Sequence, residues 1–527
     1  MATSSRLQMR GFAFPLPAQS HMSALMRLCE TLSSPPHDVL SVTFINIHAV
    51  HERLIGSQHR QNGSSCAESD LDVKNGESSR DVDRRIFLAF LPIPGLDFQT
   101  LFQSTVQTTV IALDNAVPAI SQLLQTHMHQ ENPVTCVFSD ISIADIMLKA
   151  TEPVSLPRAW ICTSSASFLL FFHYLQEGIV PMEKIMEMLE NRKIRNEEIF
   201  QETLPGLPTL TNAEVPQTPV PDGQPHDEDR YLYNVLIRNL TRIKEKGDCI
   251  LVNSFEELEP DAFRALRQRL GVPVYAVGPL KGEISTSLWN EDNECLHWLD
   301  QQPAKSVLYI SSGSLAVTSP LQVNEICEAL LREKQRFLWV HRTQGPVYNS
   351  SDACLSSISA DFLSKTQDQG RIVQWAPQRQ VLRHPAVAAF VSHCGWNSTI
   401  EAVECGVPML CLPLFYDQFM DAKFASEVWK MGLRLSSSRA DGVVDRDALQ
   451  RAFAMVTKGK EGEELRSNAR RLQRSSDLAR LEGGSSYTDI QLFIKRLKDV
   501  GPPNCVPTPK HCSEDYFCIR SEQSKTA

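Results

Sequence analysis

Hydrophobic positions along the chain fall into short apolar runs separated by longer amphipathic stretches, the pattern of strands alternating with helices. RGFAFPLP reads as a first strand, followed by a helix from about Met22 to Leu32 and the strand VLSVTFINI. IFLAFLPIPGL, TCVFSD and CILVNSF continue the strand series, with CILVNSF expected to close the first sheet, and one helix is predicted over roughly Phe102 to His127. FLLFFHYL at 168–175 is too short to cross a membrane and reads as a core element, whereas 178–246 is less regular and holds the proline-rich LPGLPTLTNAEVPQTPVPDG. A second series opens near VYAVGPL. It continues through ECLHWLDQQPAKSVLYISSGS (helix, turn, strand), a helix around 320–333, FLWVH, VAAFVSHCG, MLCLPLF and a final helix in GGSSYTDIQLFIKRLK. Such alternation predicts an α/β protein with parallel sheets wrapped by helices, whose ligands bind at the carboxyl ends of the strands.

Composition narrows this picture modestly. A length of 527 residues suits two large domains plus tails, and 42% hydrophobic with 22% charged residues is ordinary for a globular chain. A net charge of −10 argues against nucleic acid as the main partner. No run of about 18 apolar residues is present, so no membrane span is expected. MATSSRLQMR leads straight into a strand with no separate apolar signal segment, and the fourteen cysteines show no paired CxxC spacing. Cys136, Cys162, Cys394, Cys405 and Cys411 fall inside predicted elements and read as buried reduced thiols of a cytoplasmic protein. The polar stretch 56–83 is expected to be disordered, and the tail 500–527 flexible, with Cys505, Cys512 and Cys518 matching no metal-site spacing.

The most informative segment runs from Trp375 to Gln418. VAAFVSHCG is an apolar, valine-rich strand ended by a glycine; Asn397-Ser398-Thr399 offers helix N-cap chemistry; IEAVEC follows; and Gly406 sits where a C-terminal cap belongs. Pro408 and the strand MLCLPLF complete a β-α-β unit. A helix starting directly after a glycine presents free backbone N–H groups and the positive end of its dipole to an anion, and a diphosphate suits that place.

Trp375, Gln378, His393, Gly395, Trp396-Asn397-Ser398, Glu401 and Asp417-Gln418 are spaced as in the nucleotide-sugar signature of plant-type UDP-dependent glycosyltransferases, and the segment resembles the donor-binding box of that family. The resemblance covers about residues 10 to 498 and is supported outside the box by PLPAQSH, CILVNSFEELE and WLDQQPAKSVLYISSGS. It implies two facing Rossmann-like domains (the GT-B architecture): 1–275 holding the acceptor, 276–475 the UDP-sugar, and 476–499 a terminal helix packing back toward the first domain. It also implies roles. Trp375 stacks on uracil with Ala376 beside it, Gln378 reaches the ribose, and Glu401 accepts from the ribose hydroxyls. His393, Asn397 and Ser398 hold phosphates after Gly395, with Ser314 nearby. Asp417 and Gln418 bind sugar hydroxyls, and Gln418 with Trp396 goes with glucose as the sugar.

His21, between the first strand and first helix, matches the family's general base, and Asp140, ending TCVFSD, its aspartate. A histidine titrating near neutrality can take the proton an alcohol or phenol loses as it attacks a sugar carbon. Asp140 would orient the imidazole and stabilise its charge; taken alone, it also reads as a helix N-cap. Asp145 is a competitor in a less favourable place. Thr163 touches the sugar by analogy. The family's usual glycine before the histidine is Ser20 here, its following proline is Ala24, its Phe-Gly-Ser is Ser312-Gly313-Ser314, a Trp before Pro413 is Leu412, and an Asn after the Asp-Gln pair is Asp421. The reading that follows is inverting transfer of a hexose, glucose first, from a UDP-sugar to a small lipophilic acceptor such as a flavonoid, terpenoid or phenol, by a monomer. With no DxD-type motif or His/Cys ligand cluster, neither metal nor cofactor is expected beyond the UDP-sugar co-substrate. The rival readings are a non-catalytic UDP-sugar binder and a nucleotide-sugar epimerase.

Overall fold

In the computed structural model, residues 9–48, 50–54, 85–93, 106–130, 132–190, 204–218, 226–315, 318–342, 358–437, 439 and 442–500 are described. The stretches expected to be disordered or flexible, 56–83 and 500–527, lie outside these residues, apart from Val500 itself.

Two parallel sheets organise the chain. The first contains seven strands: β1 (Met9–Phe14), β2 (Leu40–Ile47), β3 (Ile86–Leu91), β4 (Cys136–Asp140), β5 (Arg158–Cys162), β6 (Cys249–Val252) and β7 (Val274–Ala276), in the order β3-β2-β1-β4-β5-β6-β7. The second contains six: β8 (Val307–Ser311), β9 (Arg336–Val340), β10 (Gly370–Val373), β11 (Val387–Ser392), β12 (Met409–Cys411) and β13 (Gly432–Arg434), in the order β10-β9-β8-β11-β12-β13. Their centres are continuous apolar runs because helices cover both faces; β2, β4, β8 and β11 are buried along their whole length.

In each sheet the strand order reverses once, between β1 and β4 and between β8 and β11. Registers fix both seams: Phe14 lies beside Ser139 in the first, and Ser392 beside Ser311 in the second. Loops leaving adjacent strands part company at such reversals, opening a crevice at the strands' carboxyl ends. His21 and Asp140 follow β1 and β4; Ser314 and His393 follow β8 and β11.

Several elements differ from the sequence expectation. The helix predicted over Phe102 to His127 is two, Val106–Asn115 and Val117–Met128. Pro118 cannot donate to the preceding turn and its ring would crowd the carbonyl of Asp114, so the first helix stops and Pro118 sits in the first turn of the second. CILVNSF does not close the first sheet: VYA, assigned to the second series, is its edge strand β7, paired with β6. RAWIC, GRIV and GLR form β5, β10 and β13 without having been predicted. The final helix, Ser485–Val500, buries Ile490, Phe493, Ile494 and Leu497 against residues of β1, β2, β4, β5 and β6, and Asp489 accepts a hydrogen bond from the Ala276 N–H of β7 at 2.7 Å.

Candidate active site

The cavity between the two crevices measures about 1580 Å³ and is lined by both halves. That is larger than the roughly 300–1,000 Å³ typical of a single-ligand pocket, and so leaves room for two substrates.

On the first half, the helix Gln19–Ser33 begins two residues before His21, turning the imidazole back toward the end of β4. His21 Nδ1 lies 2.6 Å from Asp140 Oδ2 and 3.0 Å from Thr163 Oγ1. An Nδ1–H donated to the carboxylate leaves Nε2 as the basic nitrogen. Burial alone would pull the His21 pKa down; the charge and hydrogen bond of Asp140, aided by Asp417, outweigh it and hold the imidazole above its ordinary value. Asp140 is fully buried, and its other oxygen accepts the Ser142 N–H at 2.8 Å. It is therefore both a cap and a histidine partner. Asp145 is turned away, paired with Lys149, Arg238 and Arg242. Thr163, assigned by analogy to the sugar, stands beside the His21 ring.

On the second half, β11 ends at Ser392 and the helix Trp396–Cys405 begins after Gly395. The N-cap is Gly395 rather than the Asn397-Ser398-Thr399 trio, and no side chain caps the helix, so its first N–H groups remain for a ligand. Gly406 closes the helix in the left-handed conformation at φ 68°. The His393 imidazole is wedged between two glycines: a Cβ on Gly313 would collide with its ring, and one on Gly395 would stand 2.6 Å from Nε2. Burial, with the nearby charge of Arg342, lowers its pKa to about 4 despite an opposing contribution from Ser311. It is thus a neutral hydrogen-bonding group and brings no positive charge of its own.

A chain of polar contacts runs from here to the nucleoside end. Gln378 Nε2 donates to Ser398 Oγ and to Glu401 Oε2, both at 2.9 Å, while its Oε1 accepts from Tyr309 at 3.2 Å. The Trp375 ring lies 4.6 Å from that of Trp289, tilted by 32°, with the Arg342 guanidinium 5.0 Å from the Trp289 centroid. Ala376 is buried at the base of this wall. Trp396 directs its Nε1–H to the Asn253 carbonyl at 2.8 Å, and Asn397 donates to the Ser20 carbonyl at 2.8 Å. Ser20, where the glycine was expected, thus meets the second half through its backbone.

Asp417 accepts from Ser164 Oγ at 3.2 Å, and burial, tempered by Ser164 and His21, raises its pKa to about 6. Gln418 is buried and uses Oε1 to tie down the Leu414 and Phe415 N–H groups, leaving its NH₂ for a ligand. The opposite wall is apolar, with Phe168 and Phe172 from the helix Ala166–Gln176, Val110, and Leu232, Val235 and Leu236 from Asp227–Lys246. Apart from Val110, these residues come from the 168–175 segment and from part of the less regular 178–246 stretch. Among the described residues no group of three or more His, Cys, Asp or Glu is arranged to hold a metal ion.

Sequence reasoning did not single out Arg27, Trp289 or Ser164. Each touches a predicted site residue from a distant segment, and only Arg27, the one cation besides His21 in its helix, carried any signal.

Residues 282–445 match the UDP-glucoronosyl and UDP-glucosyl transferase family. The chain is 30% identical over 503 residues to 7-deoxyloganetin glucosyltransferase of Gardenia jasminoides, covering 92% of this chain and 96% of the relative. It is 30% identical over 509 residues to gallate 1-beta-glucosyltransferase 84A23 of Punica granatum, covering 92% and 90%. Among solved structures it is similar to Phytolacca americana UGT2 complexed with UDP-2fluoro-glucose and pterostilbene, at TM-score 0.71, 25% identity and coverage of 93% and 99%. It is also similar to a UDP-glucosyltransferase from Polygonum tinctorium capable of glucosylating indoxyl, at TM-score 0.72, 26% identity and the same coverage.

Proposed function

The chain belongs to the UDP-glucoronosyl and UDP-glucosyl transferase family, and from that premise we propose that it transfers glucose from UDP-glucose to a hydroxyl of a lipophilic phenol or terpenoid-like acceptor with inversion. The observation that carries this reading is the 2.6 Å His21–Asp140 contact facing the same cavity as the uncapped start of Trp396–Cys405.

His21 Nε2 takes the acceptor's hydroxyl proton as the oxygen attacks the anomeric carbon, and Asp140 holds the resulting imidazolium, together worth about 10²–10⁴-fold in rate. The C–O bond to the diphosphate breaks on the opposite face, so an α-linked donor yields a β-glycoside. The leaving UDP is stabilised by the N–H groups after Gly395 and by hydrogen bonds from neutral His393 and from Ser398. Uracil stacks on Trp375 against Ala376, the ribose hydroxyls donate to Glu401 beside Gln378, and the sugar is held by Asp417 and Gln418, with Ser314 and Asn397 completing the phosphate surround. Trp396 acts from behind, fixing the helix start through Asn253. A phenolic acceptor suits the Phe168–Phe172 wall, in keeping with the gallate, cinnamate and pterostilbene named for relatives. The protein acts as a cytoplasmic monomer without metal.

The test is incubation with UDP-glucose and a panel of phenols and terpenoid alcohols, with the product read by mass and by the anomeric proton coupling. A β-glucoside is expected. An α-glucoside, or free glucose with every acceptor, contradicts the proposal.

A further inference from the structure

Glu401, the carboxylate proposed to hold the ribose, does not stand alone in its own half. Its Oε1 receives Arg27 Nη2 at 2.7 Å, a contact between residues 374 apart in sequence, reaching across the cleft from the helix that carries His21. The two side chains are 16% and 7% exposed, so the pair is largely out of water. Arg27 is held from behind as well. Glu30, one turn on, takes the Glu283 and Ile284 N–H groups at 2.8 and 3.2 Å, so the linker between the halves is drawn over this helix. At Gly282 that linker passes so close that an added Cβ would meet the Glu30 carboxylate and stand 3.0 Å from Arg27 Cγ.

A carboxylate offers about four acceptor sites. Arg27 and Gln378 use two of Glu401's, one on each oxygen, which leaves two for a pair of vicinal hydroxyls. Releasing Arg27 to admit the ribose would strand a mostly buried guanidinium, a costly step for a group removed from water. Keeping it costs nothing and fixes the rotamer of Glu401. We propose that Arg27 is a donor-positioning residue: acting through Glu401, it makes the nucleoside site complete only when the first half is closed on the second. This rests on the ribose reading of Glu401 given above. His21 and Arg27 lie six residues apart on one helix, an axial rise of about 9 Å, so one rigid element carries both the base and the nucleoside clamp.

The test is a double-mutant cycle on UDP binding, measured by titration calorimetry without acceptor, using Arg27→Met, Glu401→Gln and the double variant. Arg27→Met should weaken UDP about tenfold and raise the donor KM similarly, while kcat at saturating donor and the acceptor KM change far less. Arg27→Lys should recover part of the loss, and it keeps the idea testable should Arg27→Met fold poorly. In the Glu401→Gln background, Arg27→Met should add little. Unchanged or tighter UDP binding in Arg27→Met, with Glu401→Gln impaired, overturns the role of Arg27 and leaves the ribose reading standing. Unchanged binding in Glu401→Gln overturns the ribose reading itself.

Discussion

Asp140 divides its oxygens between the Ser142 N–H and His21, so its orientation is fixed before any substrate arrives. Since the proposed base His21 has to be neutral to accept a proton and its pKa is raised, kcat/KM should fall on the acid side with an apparent pKa above about 6.5. Asp140→Asn should slow turnover by about 10²-fold or more and move that limb down, as a pH–rate profile will show. An unmoved limb would mean that Asp140 does not set the imidazole's basicity. Asp421 is the other informative residue. It is 1% exposed, its oxygens meet no donor at good hydrogen-bonding geometry, and burial with the charges of Asp417 and Glu259 raises its pKa well above the carboxylate range, with only Ser165 opposing. The native state therefore keeps a proton that the unfolded chain gives up near pH 4, and the cost grows as pH rises above that value. Asp421→Asn should stabilise the protein by about 1–3 kcal/mol at neutral pH. In pH-dependent melting the gain should shrink toward pH 4; a gain independent of pH would refute the protonation argument.

The start of the helix Trp396–Cys405 shows what a single element demands. Gly395 is required by proximity rather than by its dihedrals, which are ordinary at φ −59° and ψ 144°. Gly395→Ala should displace His393 and weaken UDP at least tenfold, with a stability loss of about 1–3 kcal/mol. Calorimetry and melting check both; unaltered UDP affinity would detach His393 from the phosphate role. This element was legible because a strand, a glycine, a polar trio and a cap glycine occur in one contiguous run. Its N-cap was misplaced, since Asn397 and Ser398 fall inside the first turn of the helix, where Asn397 donates its NH₂ to the Ser20 carbonyl and Ser398 accepts from Gln378. The strands β5, β10 and β13 were not legible: RAWIC, GRIV and GLR are short, and β10 and β13 hold arginines that weaken the apolar signal. The kink at Pro118 was available from the sequence and outweighed by a long amphipathic pattern. The contact Arg27–Glu401 could not be read from the sequence because it is decided by how the halves meet, and Trp289–Trp375 could not because it depends on how the segment before β8 folds back on the end of β10.

At the scale of the whole molecule, the halves are joined by contacts in and beside the cavity. Besides Arg27–Glu401, Trp396 binds the Asn253 carbonyl, Ser164 binds Asp417, the Tyr416 N–H reaches the Gln217 carbonyl at 2.5 Å, and Arg434 pairs with Glu214. A ligand spanning this seam should stabilise the assembly as a unit. UDP at about one hundred times its Kd should add about 2.7 kcal/mol, visible as a single shifted melting transition. Two transitions of which UDP moves one would show that the halves unfold independently. In the proposed mechanism this closed cleft uses His21 to deprotonate an acceptor against a UDP-sugar. The decisive measurement is acceptor-dependent UDP release from UDP-glucose, compared between wild type and His21→Ala with UDP affinity measured in both. Release that requires acceptor and collapses in His21→Ala, with UDP still bound, is the predicted result; equal release by the two proteins would contradict it.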